Sequence, residues 1–223
     1  NDSGDFQLLN GNQTGTLLIY YLLKKWQENS KLSGKEFVVK TIVTTDLIKR
    51  IADHFEVTCY DTLTGFKYIA EVIKDLEGEA EFIGGGEESY GYLIGDKVRD
   101  KDAVASCAMI AEMTAWAKGE GLSIFDLLKS IYKEHGLFVE SLKSITKKGM
   151  SGAEEISQMM KNFRSSPPKT LGGSVVTTLI DYQTSTTTNL MNGKSESIDY
   201  PKSNVLQFYT EDGSKISVRP SGT

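Results

Sequence analysis

Short β-branched runs alternate with amphipathic stretches in the first part of the chain, and this alternation limits the fold more than any other feature. Residues 37–43 are almost continuously apolar and β-branched, as expected for a strand covered on both faces, and shorter runs occupy 57–60 and 82–83. Between these runs, apolar side chains recur at helical spacing in residues 44–55 and 62–76. The pattern predicts an α/β domain of three layers, with a parallel-type sheet between flanking helices.

The start of the chain is predicted to belong to two units. Residues 1–9 contain a polar, turn-like run followed by apolar positions, which we interpret as the last hairpin of a preceding domain. Residues 10–15 are polar and predict a loop, whereas residues 16–26 carry a helical apolar stripe. We therefore expect residues 1–10 to be the tail of a preceding domain and residues 11–136 to form the α/β domain.

Capping residues mark the starts of the later helices in this domain. They are short, oxygen-bearing side chains placed before an apolar helical stripe, namely Thr44 or Thr45, Asp102, and Ser123 paired with Asp126 in a capping box. The helix after Asp102 is expected to run from residue 103 to 118, and the helix after Ser123 to end at His135.

Beyond residue 136 the pattern changes. Residues 149–163 predict one helix, followed by the strand, the polar loop and the β-hairpin expected at 175–182, 184–203 and 205–218. One helix beside antiparallel strands indicates a linker and a smaller α+β domain over residues 137–223. Because the chain starts at Asn1 and stops directly after a motif that needs following backbone, we expect this domain to be truncated and the chain to be a fragment.

Composition excludes several functional classes. A formal net charge of −5 argues against general nucleic-acid binding, which needs a basic face. No uncharged apolar run approaches 18 residues and no leader opens the chain, so we expect no membrane span and a cytoplasmic location. Cys59 and Cys107 lie in apolar stretches and are predicted to be buried free thiols. His54 and His135 are far apart, and no zinc or iron motif is present.

One glycine-rich segment carries the first functional signal. Residues 84–92 read Gly-Gly-Gly-Glu-Glu-Ser-Tyr-Gly-Tyr and follow an apolar pair that reads as the end of a strand. They should therefore lie at a sheet edge, where α/β domains bind ligands. In an extended loop alternate side chains share a side, which places Glu87 beside Ser89, and Glu88 beside Tyr90 on the other side.

A carboxylate next to a hydroxyl suits the vicinal diol of a sugar. The carboxylate accepts hydrogen bonds from two neighbouring hydroxyls, and its charge strengthens them. Gly86 and Gly91 are expected to keep the backbone close to that ligand, with Glu87 and Ser89 in contact with the sugar and Glu88 outside the contact. The alternative is a glycine-rich turn with solvated acids.

The end of the chain carries the second signal. Residues 219–223 read Arg-Pro-Ser-Gly-Thr. Arg219 presents a planar fork that holds a phosphate through two hydrogen bonds, Ser221 and Thr223 add hydroxyl donors, and Gly222 lets backbone N–H groups converge on the anion. An ordinary surface turn is the alternative interpretation.

Four segments, taken in order, resemble the alpha-D-phosphohexomutase superfamily of phosphoglucomutases and phosphomannomutases. Residues 84–92 look like its sugar-binding loop, and residues 219–223 look like the phosphate-binding loop of its last domain. Residues 62–67 resemble the third-domain segment that opens a helix beside the active-site cleft, and residues 95–102 resemble the basic stretch after the sugar loop. The chain is therefore expected to be a C-terminal fragment holding the third domain and most of the fourth.

The resemblance implies a function for the complete protein. Family members move a phosphoryl group between the 1- and 6-positions of a hexose, here expected to be glucose, through an enzyme phosphoserine and a sugar bisphosphate intermediate. The phosphoserine and the aspartate-rich loop that holds Mg²⁺ belong to N-terminal domains missing from this chain. We thus expect no catalytic or metal residue here, and weak phosphosugar binding without turnover.

The resemblance also adds substrate-binding candidates: Lys67, Arg99 and Lys101. Lys67 has an independent physical case, since it lies in the first turn of a helix, where the dipole and free N–H groups attract anions. Arg99 and Lys101 could instead pair with neighbouring aspartates 96, 100 and 102. A phosphomannomutase, a phosphopentomutase and a non-catalytic phosphosugar-binding protein remain alternatives. A nucleotide-binding domain is disfavoured, because residues 84–86 match neither G-x-G-x-x-G nor a P-loop.

Overall fold

The computed structural model describes residues 6–220 and divides into two compact units, Asn1–Ser141 (unit 1) and Leu142–Thr223 (unit 2). Unit 1 contains five helices among its described residues: α1 (Gly11–Glu28), α2 (Leu47–His54), α3 (Phe66–Asp75), α4 (Ala103–Gly119) and α5 (Ile124–His135). Its described strands are β1 (Glu36–Thr41), β2 (Thr58–Thr62), β3 (Glu81–Glu87) and β4 (Gly91–Ile94).

The four strands of unit 1 form one sheet in the order β2-β1-β3-β4. Strand β1 is parallel to both neighbours, β2 and β3, whereas β4 returns antiparallel to β3. Side chains alternate across β1, so Val38 packs in the core formed with α1 and α2, while Phe37 and Val39 pack against α3 on the other face. The predicted three-layer α/β architecture is confirmed.

Unit 2 has the α+β character expected from its sequence. It contains α6 (Gly149–Ser165) and the strands β5 (Thr170–Leu171), β6 (Ser174–Asp181), β7 (Thr186–Asn189), β8 (Ser195–Ser197), β9 (Leu206–Thr210) and β10 (Lys215–Val218). The main sheet runs β10-β9-β6-β7-β8 with antiparallel pairing, and β5 pairs with β6. Met160 of α6 packs with Val176, Leu206 and Phe208, which forms the core of this unit.

Several local predictions are confirmed. Asp102 caps α4 by accepting hydrogen bonds from the N–H groups of Val104 and Ala105. Ser123 and Asp126 form the predicted capping box at the start of α5, which ends at His135. Strands β9 and β10 form the predicted hairpin. These signals depend on neighbours in sequence, which explains why they could be recognised.

The start of α1 was predicted wrongly. Residues 10–15 are not a loop, because the helix begins at Gly11 and Asn10 forms a capping box with Gln13. The described residues 6–10 contain no strand of the predicted hairpin, and residues 1–5 lie outside the described part of the chain. Asn10 with Gln13 three residues later matched the capping-box pattern, so the polar composition of this stretch hid a helix start.

Three other local predictions were also wrong. Helix α2 has Asp46 at its N-cap, not a threonine, although the Thr45 hydroxyl accepts the Leu47 N–H at 3.3 Å. The predicted loop at 184–203 contains β7 and β8. Cys107 is exposed and not buried. Helix α4 is apolar on nearly all sides, so apolar neighbours in sequence do not show which of its faces is buried.

None of the helices in residues 6–220 has the length and apolar character needed to cross a membrane.

Candidate functional site

The carboxyl ends of the three parallel strands bring the candidate residues of unit 1 to one side of the sheet. We call this side the carboxyl edge; it comprises residues 40–46 after and at the end of β1, 61–65 at the end of β2, and 87–91 between β3 and β4. Helices α2 and α3 begin there, immediately after the loops that follow β1 and β2. Ligands of open α/β sheets bind at this edge, and helix N-termini favour anions.

Glu87 is the last residue of β3 and anchors the start of α3. Its side chain is buried, with the residue 5% exposed, and its Oε1 accepts the backbone N–H of Gly65 at 2.8 Å. Gly65 is the N-cap of α3 and has a φ of 125°, a conformation that favours glycine. The predicted extended loop was wrong here, since β3 continues through the glycines and Glu87 still belongs to the sheet.

The three residues after Glu87 form a turn. Ser89 and Tyr90 are exposed, Tyr90 has a positive φ of 67°, and its hydroxyl donates to the Leu9 carbonyl at 3.0 Å. Because residues 88–90 are not extended, the predicted alternation that placed Glu87 and Ser89 on one side does not apply. The Ser89 side chain is nevertheless open to solvent, and Ser89 lies two residues after the buried Glu87.

Glu88 is held from inside the protein. Its Oε2 accepts hydrogen bonds from the hydroxyls of Thr41 at 3.2 Å and Thr44 at 3.1 Å, and these two hydroxyls are 2.9 Å apart. Both threonines are buried, at 0% and 2% exposure. The sequence indicated only that Glu88 would lie outside sugar contact, and gave no sign of these partners.

The glycines of the motif serve the packing of the sheet. A Cβ on Gly85 would lie 2.3 Å from the Val39 carbonyl oxygen, and one on Gly86 would lie 2.4 Å from the Gly91 carbonyl oxygen. The structure thus gives Gly86 a backbone neighbour from the protein itself. A Cβ on Gly91 would lie 2.9 Å from the Lys101 side chain. Close approach of protein atoms accounts for the glycines at these three positions.

Two predicted lysines lie near the first turn of α3. The Lys101 Nζ lies 4.8 Å from the centre of the Phe66 ring and 3.3 Å from Asp100 Oδ1, one of the aspartates considered as a partner. Lys67 is exposed, with its Nζ 4.8 Å from the Tyr68 ring. The Glu87 carboxylate, which accepts the Gly65 N–H, and the two lysine ammonium groups therefore all lie near the start of α3.

Arg99 lies elsewhere. Its Nη2 is 3.2 Å from Glu77 Oε1, and Glu77 follows the last turn of α3, at the opposite end of that helix from Gly65. The alternative that Arg99 pairs with Asp96, Asp100 or Asp102 is replaced by this contact with Glu77. The Arg99 guanidinium therefore lies near the C-terminal end of α3, which is the end opposite Gly65.

Sequence reasoning missed Lys40, the penultimate residue of β1. Its side chain is 1% exposed, and its Nζ lies 2.6 Å from Asp61 Oδ1 and 2.9 Å from Asp46 Oδ1. Burial lowers the pKa of Lys40, but the carboxylates of Asp61 and Asp46 outweigh it, so the pKa is raised and the ammonium stays charged. A lysine inside an apolar strand was the one available signal, because a buried lysine needs a charged partner.

The histidines form a small cluster at the C-terminal ends of α2 and α5, away from the carboxyl edge. The His54 and His135 rings are 5.0 Å apart, although the two residues are distant in sequence. Glu134 approaches both, at 3.4 Å from His54 Nε2 and 3.8 Å from His135 Nε2. No group of three or more His, Cys, Asp or Glu residues within 6–220 is arranged to hold a metal ion.

Burial raises the pKa of Cys59 to about 12, so its thiol is unreactive near neutrality.

The phosphate-loop candidates lie in unit 2. Arg219 is exposed and directly follows β10. Ser221, Gly222 and Thr223 lie outside the described residues. The structure therefore describes the strand that leads to this motif and its arginine.

Comparisons with known proteins agree with this architecture. Residues 10–135 match the family model described as phosphoglucomutase/phosphomannomutase, alpha/beta/alpha domain III. A phosphoglucomutase of Staphylococcus haemolyticus is 35% identical over 221 residues, which are 99% of this chain and 39% of that protein. A phosphoglucomutase of Staphylococcus epidermidis is 37% identical over 220 residues, again 99% of this chain and 39% of that protein.

A solved structure shows the same fold. The exocytosis-sensitive phosphoprotein pp63/parafusin (phosphoglucomutase) from Paramecium, in its open form, aligns with a TM-score of 0.59 over 97% of this chain and 35% of that chain, at 14% identity. The chain thus spans about two fifths of the length of the curated relatives it matches. Since the family model covers more than half of the sequence, this chain belongs to the phosphoglucomutase/phosphomannomutase family, and its unit 1 is the α/β/α domain III of that family.

Proposed function

We propose that the chain is the sugar- and phosphate-recognising part of a mutase that moves a phosphoryl group between the 1- and 6-positions of a hexose, with glucose as the preferred sugar. Membership of the family and the phosphoglucomutase relatives support this proposal. The observation that carries it is the gathering of Glu87, Lys67 and Lys101 around the start of α3 at the carboxyl edge.

The chemistry of Glu87 fits a sugar contact. An ionised carboxylate has about four lone-pair positions, and the Gly65 N–H uses one of them. The remaining positions are available to sugar hydroxyls, and the Gly65 bond fixes the direction of the carboxylate before the sugar arrives. Ser89 offers an exposed hydroxyl from the adjoining turn. Fixing these groups in advance reduces the ordering that binding would otherwise require.

The cations supply the complementary part of the site. Lys67 and Lys101 place two ammonium groups beside the first turn of α3, whose N-terminal end favours negative charge. We propose that Arg219, Ser221, Gly222 and Thr223 bind the phosphate that does not react. A 1,6-mutase must accept a sugar bisphosphate in either orientation, so its sugar contacts and its phosphate contacts have to be made by different residues.

The chemical step is proposed to need parts of the protein beyond this chain. Residues 6–220 contain no cluster suited to Mg²⁺, so no step is assigned to a metal held here. Phosphoryl transfer depends chiefly on positioning and charge stabilisation. We accordingly expect the 223-residue chain to bind a hexose phosphate weakly, and the complete polypeptide, with a phosphoserine and Mg²⁺, to carry out the transfer.

A coupled assay tests the proposal. The complete polypeptide is supplied with glucose 1-phosphate, Mg²⁺ and catalytic glucose 1,6-bisphosphate, and glucose 6-phosphate is followed through its dehydrogenase. Parallel reactions contain mannose 1-phosphate and ribose 1-phosphate. We expect the highest kcat/KM for the glucose substrate. Faster turnover of mannose or ribose phosphate would reassign the sugar, and phosphosugar binding without any turnover would show a non-catalytic binding protein.

A further inference from the structure

The turn at residues 88–90 is fastened to the end of β1 by one side chain. Thr41 is the last residue of β1 and Thr44 lies in the loop that follows, and both hydroxyls donate to the same oxygen of Glu88. Thr41 is separated from Glu88 by 47 residues of sequence, so the contact joins the end of β1 to the turn between β3 and β4. A carboxylate that takes two hydroxyl donors from buried threonines makes bonds stronger than those of a neutral acceptor.

The same turn is held from its other side by the start of α1. A Cβ on Gly11 would lie 1.8 Å from the Glu88 carbonyl oxygen, so the helix backbone lies directly against the backbone of the turn. The Tyr92 hydroxyl donates to the Gly11 carbonyl at 2.6 Å, which ties β4 to the same helix end. Glu88 is thus fixed through its side chain by β1 and through its backbone by α1.

This attachment restrains a strained conformation beside the candidate sugar contacts. Tyr90 has a φ of 67°, which a tyrosine adopts at a cost that the surrounding structure must offset. Glu87 and Ser89 are the immediate neighbours of Glu88 in sequence. If the backbone of the turn moved with Glu88, the Glu87 carboxylate would shift relative to Gly65 and the Ser89 hydroxyl would shift relative to both.

We propose that Glu88 is a positioning residue. It holds the turn 88–90 so that the Glu87 carboxylate keeps its hydrogen bond from the Gly65 N–H and Ser89 faces the sugar. This inference rests on the proposed function, because it assigns Glu88 a role in hexose phosphate affinity. Glu88 acts through its two neighbours and the threonines, without touching the substrate itself.

A double-mutant cycle in the complete polypeptide tests the inference. Glu88→Gln keeps the shape of the side chain but removes its charge, and Thr41→Val removes one hydroxyl donor. We expect each variant to raise the KM for glucose 1-phosphate roughly 10-fold with a smaller change in kcat, since a displaced contact weakens binding. The double variant should be no worse than the poorer single variant, because Glu88→Gln weakens the same interaction from which Thr41→Val removes a donor. Thr41→Ser should restore a KM near the wild-type value.

Glu36→Gln is the matched control. Glu36 is also a buried carboxylate of the same sheet with a hydroxyl donor, Ser33 Oγ at 2.6 Å, but it lies at the opposite end of β1. This variant should lower Tm and leave KM unchanged. Lower Tm with unchanged KM in Glu88→Gln would overturn the inference, as would a raised KM that Thr41→Val does not reproduce, since Glu88 would then contact the substrate.

Amide hydrogen exchange separates this inference from the proposed function. In the 223-residue chain, Glu88→Gln should speed exchange of the Gly65 N–H roughly 10-fold, because the Glu87 bond is loosened, and Glu36→Gln should not. Unchanged exchange at Gly65 would overturn the positioning role whether or not the complete polypeptide is a mutase. Absence of mutase activity with the expected change in exchange would overturn the proposed function alone.

Discussion

The two ends of the central strand β1 satisfy buried polar groups in different ways. At the amino end, Glu36 accepts hydrogen bonds from the Ser33 hydroxyl and from backbone N–H groups of residues 33–35, all within three residues. At the carboxyl end, Thr41 has a near neighbour in Thr44, but Lys40 also reaches Asp61, 21 residues away, and Thr41 reaches Glu88, 47 residues away. The first network closes on itself, whereas the second joins separate loops. The difference indicates that long-range polar contacts fix the loops of the carboxyl edge.

The largest expected difference between the two ends concerns catalysis. In the complete polypeptide, Glu87→Gln should lower kcat/KM on the order of 10- to 100-fold, because a charged acceptor for sugar hydroxyls is lost. The glutamine oxygen still accepts the Gly65 N–H, so Tm should change little. Steady-state kinetics of this variant beside Glu36→Gln provides the measurement. Equal kcat/KM in the two variants would remove the distinction between the ends.

The next effect is on stability. Lys40→Met should lower the free energy of unfolding by about 2 kcal/mol, less than for a fully buried pair because Asp46 and Asp61 remain 39% and 32% exposed. Lys49→Met is the control, since Lys49 pairs with Asp53 at the surface and should change stability by less than about 0.5 kcal/mol. Urea denaturation of both variants measures the difference. Similar losses would mean that the buried ammonium is not a special link.

A smaller loss is expected where α1 meets the turn. Gly11→Ala should cost about 1–2 kcal/mol, because the added Cβ would overlap the Glu88 carbonyl oxygen at 1.8 Å and force a backbone shift. Gly119→Ala, at the end of α4 with no atom within 4 Å of its Cβ, should be neutral or slightly stabilising, since alanine is the better helix former. Thermal melts of the pair test this. A stabilising Gly11→Ala would contradict the close approach.

The smallest effect is a pH dependence on the side of the sheet away from the carboxyl edge. Burial lowers the pKa of His135 below its ordinary 6.5, with Glu134 acting to raise it and His54 and Arg50 acting to lower it. Near this pH the folded protein then binds fewer protons at His135 than the unfolded chain does. The contribution of His135 to stability should therefore be fully present above pH 6.5 and decline as the pH falls below it. His135→Asn should flatten the decline between pH 7 and 5.5. Stability rising toward pH 5.5 would reverse the sign.

The same contrast between local and long-range contacts explains what the sequence could predict. The caps at Asp102 and Ser123 and the hairpin of β9 and β10 depend on residues a few positions apart, and they were recognised. The strand through residues 84–87 was missed, because glycine is depleted in strands. Glycine is needed at position 85 because the Val39 backbone, distant in sequence, lies too close for a side chain.

The candidate site was predictable in part. The motif at residues 84–92 located the carboxyl edge, and the lysines at 67 and 101 lie near the start of α3 there. Arg99 was grouped with them by its position in sequence, but it pairs with Glu77 at the far end of α3. The links from Glu88 to Thr41 and from Lys40 to Asp61 follow from strand order, which a single sequence does not specify.

NMR mapping of hexose phosphate binding onto the chain shows whether the carboxyl edge of unit 1 binds the sugar. Backbone amides of the 223-residue chain are followed while glucose 6-phosphate is added to saturation. We predict the largest chemical-shift changes at the amides of Gly65, Lys67 and residues 87–90, and no changes around Glu36 or Glu77. Shifts confined to the opposite end of the sheet, or none at the carboxyl edge at saturating ligand, would contradict it.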